Sequence, residues 1–433
     1  MTLPMRFSKP RNGHQFILFG MGALFGAVLL VGLQSFIGSS EEPDVAQYRA
    51  VREFVSDNYV REVPTEQLLD NALKGMLGSL DNYSRYYTPA EAAELDRDTS
   101  GRYTGIGVIL KRPIEEGRIL FTLPDSPAER AGVRVGDLIV SVDGIAVTGQ
   151  FSTDRLRRDQ PDPFQIDVVG LDGQERSLEV QPASLVDPTV RHAHIANEEL
   201  GVGYLSITSF SHETPTEFAD AFRVLEDRGM KALVLDLRGN LGGVLSASVD
   251  IARRFIAEGV IVSTEGSGPP VVREARRDLA VSLGYPLVVL VDGNSASASE
   301  VVAAALQDHR AAVLVGTPTF GKGLVQTIHR FPEVGSIAKV TTSYYYTPSH
   351  RNIDRSIDPD RDHGILPDLE VELERETQMA IYRYLAEYSP PFDALPALAA
   401  WEAELGEPLQ PGHPDDPQLR AAIDLFVGDE EQE

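Results

Sequence analysis

Apolar positions along this chain recur with two periods. Short runs rich in valine and leucine, at Leu200–Leu205, Ala232–Leu237, Leu287–Val291 and Ala311–Val315, read as buried parallel strands. Between the last two, Val301-Val302-Ala303-Ala304-Ala305-Leu306 is a good helix pattern. Strand, turn, helix, strand and loop over Val288–Gln326 predict a right-handed crossover that lays the loop around Lys322 beside the turn at Ser297. Nearer the N-terminus the spacing is helical, first at Tyr48, Val51, Val55 and Tyr59, then from Leu68 to Leu77. Thr88-Pro89-Ala90-Glu91 is a capping box that starts another helix. From Tyr103 the texture changes to short β-runs. Gly105-Ile106-Gly107 opens a strand, Ser126-Pro127-Ala128-Glu129 caps a short helix, and Asp143-Gly144 and Asp172-Gly173 mark hairpins. Ile337–Tyr346 is a further strand, and Arg375 onward is helical with an acidic end, to which no function is assigned.

The N-terminus has its own pattern. Arg6, Lys9 and Arg11 precede a strongly apolar stretch, Phe16–Ile37, and Glu41, Glu42 and Asp44 follow it. That length spans a bilayer, and the charge bias places the N-terminus in the cytoplasm and the rest outside. A cleaved signal peptide cut near Gly38 and Ser40 is the competing reading. The long apolar run favours an uncleaved anchor in the cytoplasmic membrane, single-pass, with the bulk of the chain periplasmic or extracytoplasmic. Net charge changes the picture further: at −26, from 39 basic and 65 acidic residues, nucleic acid is excluded as a main partner. The chain has no cysteine, which rules out disulfides and thiolate chemistry. Asp358, Asp360 and Asp362 have the spacing of a calcium loop, but Leu369 stands where the glutamate ligand belongs, so no metal is expected.

Candidate chemistry concentrates at two loops. Serines at a helix start are most often caps, and Ser295 and Ser299 are read so. A hydroxyl at a strand-to-helix turn also sits over free N–H groups that can stabilise an oxyanion. Lys322 stands between two glycines, with Phe320, Leu324 and Val325 around it. Desolvation favours its neutral form, which serves as a general base for a serine. Taken alone, a Gly-Lys-Gly loop is more often a flexible surface loop. Gln326, one helical turn beyond, is placed to orient the amine.

Ser295-Ala296-Ser297-Ala298-Ser299-Glu300 and Thr319-Phe320-Gly321-Lys322-Gly323 with Val325-Gln326 together resemble the carboxyl-terminal processing, or tail-specific, proteases. The lysine lies 25 residues after the serine, as in that family's dyad. The resemblance runs from about Ala46 to Val371. It implies Ser297 as nucleophile, Lys322 as base and Gln326 as the residue that positions the lysine. The block Arg238-x-Asn240-x-Gly242-Gly243 also matches, and implies that the N–H of Gly242 or Gly243 joins that of Ala298 in an oxyanion hole. Ser100–Ala183 resembles a PDZ domain, which implies a groove at Gly105, Ile106 and Gly107 for a free C-terminal carboxylate. The helix that would wall this groove, Ser152–Asp159, is cut short by Pro161 and Pro163.

Three rivals are weaker. Ser336-x-x-Lys339 opens a strand, where residues three apart face opposite sides. Gly293-x-Ser295-x-Ser297 is not a Gly-x-Ser-x-Gly elbow, and no histidine has a telling context. A catalytically inactive, membrane-anchored PDZ adaptor keeps the fold but gives no reason for an intact serine, lysine and glutamine.

The expected architecture is α/β. Residues 1–41 are a stub and transmembrane anchor, 42–99 a helical segment, and 100–183 an inserted, mainly β PDZ domain. Residues 184–374 are a crotonase-like serine protease core, and 375–433 a helical extension with an acidic tail. The expected activity is serine endopeptidase cleavage of extracytoplasmic proteins near exposed C-termini, without a cofactor. Homo-oligomerisation and an activating adaptor stay open.

Overall fold

The computed structural model describes residues 42–147, 151–156, 162–282, 284–357, 363–391 and 393–427. The chain divides into two compact units, Met1–Met76 and Leu77–Glu433. The first contains the helix Pro43–Asn58, whose residues are all at least partly exposed, and most of the helix Thr65–Gly78. The expected membrane placement is corrected here. Among the described residues no helix is long and apolar enough to cross a membrane. Phe16–Ile37, like Asp358–Asp362, lies outside the described residues.

The second unit is built on a central sheet of six strands. They are β1 (Val190–Asn197), β2 (Val202–Ile207), β3 (Ala232–Asp236), β4 (Leu287–Val291), β5 (Val313–Gly316) and β6 (Leu369–Glu370). They lie side by side in chain order, with β1 antiparallel to β2 and every later pair parallel. The helices Thr214–Asp227, Leu245–Arg253 and Ala298–Asp308 fall between successive parallel strands. Leu205, Leu233, Leu235, Val289 and Val291 pack with Phe218, Phe222, Ile251 and Val302 from those helices. The alternate positions Tyr204, Val234, Val288 and Leu290 form a second core with Leu419 and Ala422 of the helix Pro417–Asp424. Because both faces are buried, β3 and β4 read as unbroken apolar runs despite their two-residue period. The segment read as an extension therefore closes one face of the sheet.

A second sheet holds Arg85–Tyr87, Val260–Gly266, Val271–Glu274, Leu324–Phe331 and Ser336–Tyr346. It carries the chain away from Lys322, and it puts Ser336 and Lys339 on one strand, where they cannot pair.

The β-runs after Tyr103 form a separate core of Ile106, Ile119, Ile139, Ile166 and Val168. Ser126 Oγ accepts the Glu129 N–H at 3.2 Å and caps the short helix Pro127–Arg130. Asp143 and Gly144 both have positive φ, 51° and 71°, as a two-residue hairpin with right-handed strand twist requires. Of the short helix expected at Ser152–Asp159, the described residues hold one 3-10 turn, Thr153–Leu156. Leu120 and Phe121, on the strand Ile119–Thr122, pack against Leu398 and Trp401 of the helix Leu395–Leu405. Trp401 is the chain's one tryptophan and is 4 % exposed. Trp401→Ala is expected to cost about 3–5 kcal/mol, as for other buried large aromatics. Chemical denaturation checks this; a loss below about 1 kcal/mol would show that this contact is loosely packed.

Candidate active site

Past β4 the chain turns through Asp292–Ser297 into the helix Ala298–Asp308. Asp292 Oδ1 organises the turn, accepting N–H bonds from Gly239 at 3.1 Å, Asn294 at 3.0 Å and Ser295 at 3.1 Å. Ser295 Oγ donates to the Leu237 carbonyl at 2.8 Å, and Ser299 Oγ to the Asn240 carbonyl at 2.9 Å. Both serines are fully buried. They are not the helix caps expected from the sequence: both fasten the turn to the neighbouring glycine loop. Ser297 is the one left partly exposed, with φ 57° and ψ −110°. Such backbone costs a residue with a Cβ about 1–3 kcal/mol and persists only where its surroundings over-determine it.

The glycine loop after β3 supplies that surrounding. Gly242 has φ 101°, and a Cβ there would lie 2.9 Å from Ser297 Cβ and 2.7 Å from the Ala296 carbonyl oxygen. Only glycine lets the two loops touch. The Gly242 N–H donates to Asn240 Oδ1 at 2.9 Å. Phe210 N–H donates to the Gly242 carbonyl at 3.0 Å, and Val244 N–H donates to the Phe210 carbonyl at 2.8 Å, which turns the Gly243 N–H the other way. Among the described residues, neither the Gly243 nor the Ala298 N–H meets an acceptor. Of the two glycines considered as oxyanion donors, Gly242 is thus engaged and Gly243 is available.

The lysine loop is joined to the serine turn by Glu300, which is fully buried. Its Oε1 accepts the Thr319 hydroxyl at 2.6 Å and the Gly321 N–H at 2.7 Å. Its Oε2 accepts the Ser297 N–H at 2.8 Å and the Lys322 N–H at 2.9 Å. Burial pushes this carboxyl up, and the four hydrogen bonds oppose that shift. Tyr345 adds a hydroxyl 3.3 Å from the Ser297 carbonyl. The Lys322 amine lies over the Tyr83 ring, 4.5 Å from its centroid. Burial, then the positive charge of Lys339, holds this amine below the usual lysine range, against the pull of Glu300, Asp354 and Asp81. Among the described residues no hydrogen bond links Lys322 Nζ to Ser297 Oγ; the two residues meet through Glu300.

Gln326 departs from expectation. It stands on the strand Leu324–Phe331, and its amide donates to Thr341 Oγ1 at 3.4 Å. Among the described residues it makes no hydrogen bond to the lysine amine. Sequence reasoning passed over Glu300 and Tyr83 as site residues, although both stand inside stretches whose resemblance was noted. Neither spacing nor type marks a glutamate in a helix's first turn as more than a cap partner.

In the β-module, Ile106 is buried, and its carbonyl accepts the Ala128 N–H at 2.9 Å. Gly107 follows with φ 77°; a Cβ there would lie 2.4 Å from Ser126 Cβ. The N–H groups of Ile106 and Gly107 meet no acceptor among the described residues. Beside Gly105, Ile106 and Gly107, the strand Val108–Leu110 pairs, among the described residues, on one edge alone, with Ile119–Thr122. A cleft of about 400 Å³ begins next to Gly243, lined by Val244, Leu245, Val249, Arg253 and Arg273.

Residues 201–371 match peptidase family S41, and residues 123–158 match a PDZ domain. A carboxy-terminal-processing protease of Bartonella bacilliformis is 33 % identical over 368 residues, covering 82 % of each chain. A carboxyl-terminal-processing protease of Synechocystis sp. is 35 % identical over 316 residues, covering 70 % of each. Among solved structures, a photosystem II D1 C-terminal processing protease is 29 % identical, with a TM-score of 0.43 over 76 % of this chain and 92 % of its own. The chain belongs to peptidase family S41, with the carboxy-terminal processing serine proteases, and carries a PDZ domain. Gly242→Ala is expected to abolish peptidase activity, because the added methyl must push the serine turn away. Activity above about a tenth of wild type would show that the turn tolerates the shift.

Proposed function

We propose that the protein is an endopeptidase that uses a Ser297–Lys322 dyad on a crotonase-like core and cuts proteins near exposed C-termini. The observation that carries this reading is the shared Glu300 oxygen, which holds the backbone N–H of both residues. Neutral Lys322 takes the proton from Ser297 Oγ as the oxygen attacks the substrate carbonyl. The Gly243 and Ala298 N–H groups receive the developing oxyanion. Lys322 then gives the proton to the leaving amine; once neutral again, Lys322 deprotonates a water that attacks the Ser297 ester, and it returns that proton to Ser297 Oγ as the acid product leaves. The cleft beside Gly243 receives a substrate side chain. Residues 100–183 are the PDZ domain, 184–374 the protease core, and 42–99 and 375–433 the flanking helical segments.

Ser297→Ala and Lys322→Ala are each expected to abolish peptide cleavage, while Ser295→Ala and Ser299→Ala lower thermal stability more than turnover. The base must be neutral, so activity rises with pH through the lowered lysine pKa. Lys339→Met removes a charge that disfavours protonated Lys322 and moves that rising limb to higher pH. A limb that stays put, or moves down, would assign the titration to another group.

The PDZ groove has the features to read a free tail: an open strand edge at Val108–Leu110 and two N–H groups at Ile106 and Gly107. A peptide ending in an apolar residue with a free carboxylate should be cut faster than its C-terminal amide. Equal rates, measured side by side, would mean that the domain does not select tails by their charge.

A further inference from the structure

Two side chains from the segment after Glu374 hold the loops on which the proposed mechanism rests. The first is Asp416. Arg238, in the glycine loop, is buried with its side chain 2 % exposed. Its Nε and Nη2 donate to Asp236, at 3.0 Å and 2.6 Å. Nη2 and Nη1 donate to Asp416, at 2.6 Å and 3.1 Å, and Nη1 also donates to Gln418 Oε1 at 2.9 Å. All five guanidinium donors are thereby used, which fixes the plane of the group. Asp416 also accepts the N–H groups of Gln418 and Leu419, at 3.0 Å and 3.1 Å, so the helix Pro417–Asp424 is tied to the same carboxylate.

The second is Tyr382, on the helix Arg375–Leu385. Its hydroxyl donates to Asp292 Oδ2 at 2.5 Å and accepts from Asn294 Nδ2 at 2.9 Å. The other oxygen of Asp292 binds the Gly239 N–H and the serine-turn N–H groups. One contact therefore grips the glycine loop, and the other grips the serine turn where it meets that loop.

We infer that Asp416 and Tyr382 are positioning residues for catalysis: the C-terminal segment holds the glycine loop and serine turn together so that the Gly243 and Ala298 N–H groups converge on the oxyanion. This rests on the reading of Ser297 and those two donors given above. Donors that act on the transition state change kcat, whereas substrate contacts change KM. Tyr382→Phe removes one oxygen and keeps the ring. Asp416→Asn keeps the shape but turns an NH2 group toward the guanidinium. Each is expected to lower kcat about 10–100-fold with KM within about twofold, the scale of a small misplacement. Arg420→Ala, which breaks an exposed pair with Asp415 on the same helix, should leave kcat unchanged.

A second measurement does not depend on turnover. In full-length Ser297→Ala protein, adding Tyr382→Phe or Asp416→Asn should speed amide hydrogen exchange in 239–243 and 292–296. If Ser297→Ala itself retains activity, the dyad reading fails, and the exchange experiment still judges the clamp. Wild-type kcat in both variants, a loss carried by KM, or unchanged exchange in these two stretches would overturn the inference. Should Asp416→Asn fail to fold, Tyr382→Phe alone decides.

Discussion

A buried carboxylate is the constraint on which the site depends. Glu300 accepts hydrogen bonds from Ser297, Thr319, Gly321 and Lys322, all inside a core where a bare carboxylate would be costly. Three of these groups are backbone N–H donors and the fourth is a hydroxyl, and together they oppose the upward shift that burial imposes on the carboxyl. The arrangement fixes two loops that are far apart in sequence at one oxygen. It also places an anion near the lysine, which by itself would raise that amine's pKa. Burial of Lys322 and the charge of Lys339 act in the opposite sense and prevail. Position and electrostatics at Lys322 are thus set by different residues: Glu300 holds its backbone N–H, while burial and Lys339 lower the pKa of its amine.

The strained backbone at Ser297 follows from the same economy of contacts. Its positive φ is held from one side by Glu300, from another by Gly242, and from below by the buried hydroxyls of Ser295 and Ser299. The ties through Gly242, Ser295 and Ser299 all reach the loop after β3, whereas the Glu300 tie is made within the helix's own first turn. A loop so constrained does not depend on local propensity, and the serine motif departs from a plain helix cap for that reason.

The C-terminal segment links parts that the sequence presents as separate. Leu419 and Ala422 cover one face of the central sheet, and Trp401 and Leu398 pack on the strand Ile119–Thr122 of the β-module. Arg112 of the β-module pairs with Glu387, and Arg191 of β1 lies 4.0 Å from the Tyr388 ring. The same segment reaches Asp292 through Tyr382 and Arg238 through Asp416. The C-terminal segment therefore packs against the β-module, the core sheet and the loops around Ser297 alike.

Much of this protein was legible in its sequence because the signals were local. Apolar runs marked β3 and β4, capping residues marked Thr88 and Ser126, and Asp143-Gly144 marked a hairpin, since each depends on neighbours within a few residues. The family was legible in the two motifs around Ser297 and Lys322 and in their spacing, and the family model and the relatives bear that out. What tertiary structure decided were matters of partner and direction. Gln326 reads as one turn from Lys322 only if the loop enters a helix, and pairing with Ser336–Tyr346 made it a strand. Gly242 and Gly243 look alike in sequence, and only the side chain of Asn240 separates a spent N–H from a free one. The residues after Glu374 carry no motif, because their role lies in burying the second face of a sheet and closing a guanidinium from the far side. A sequence records which residues are apolar or charged; which segment finally covers or pairs with them is settled by packing across the whole chain.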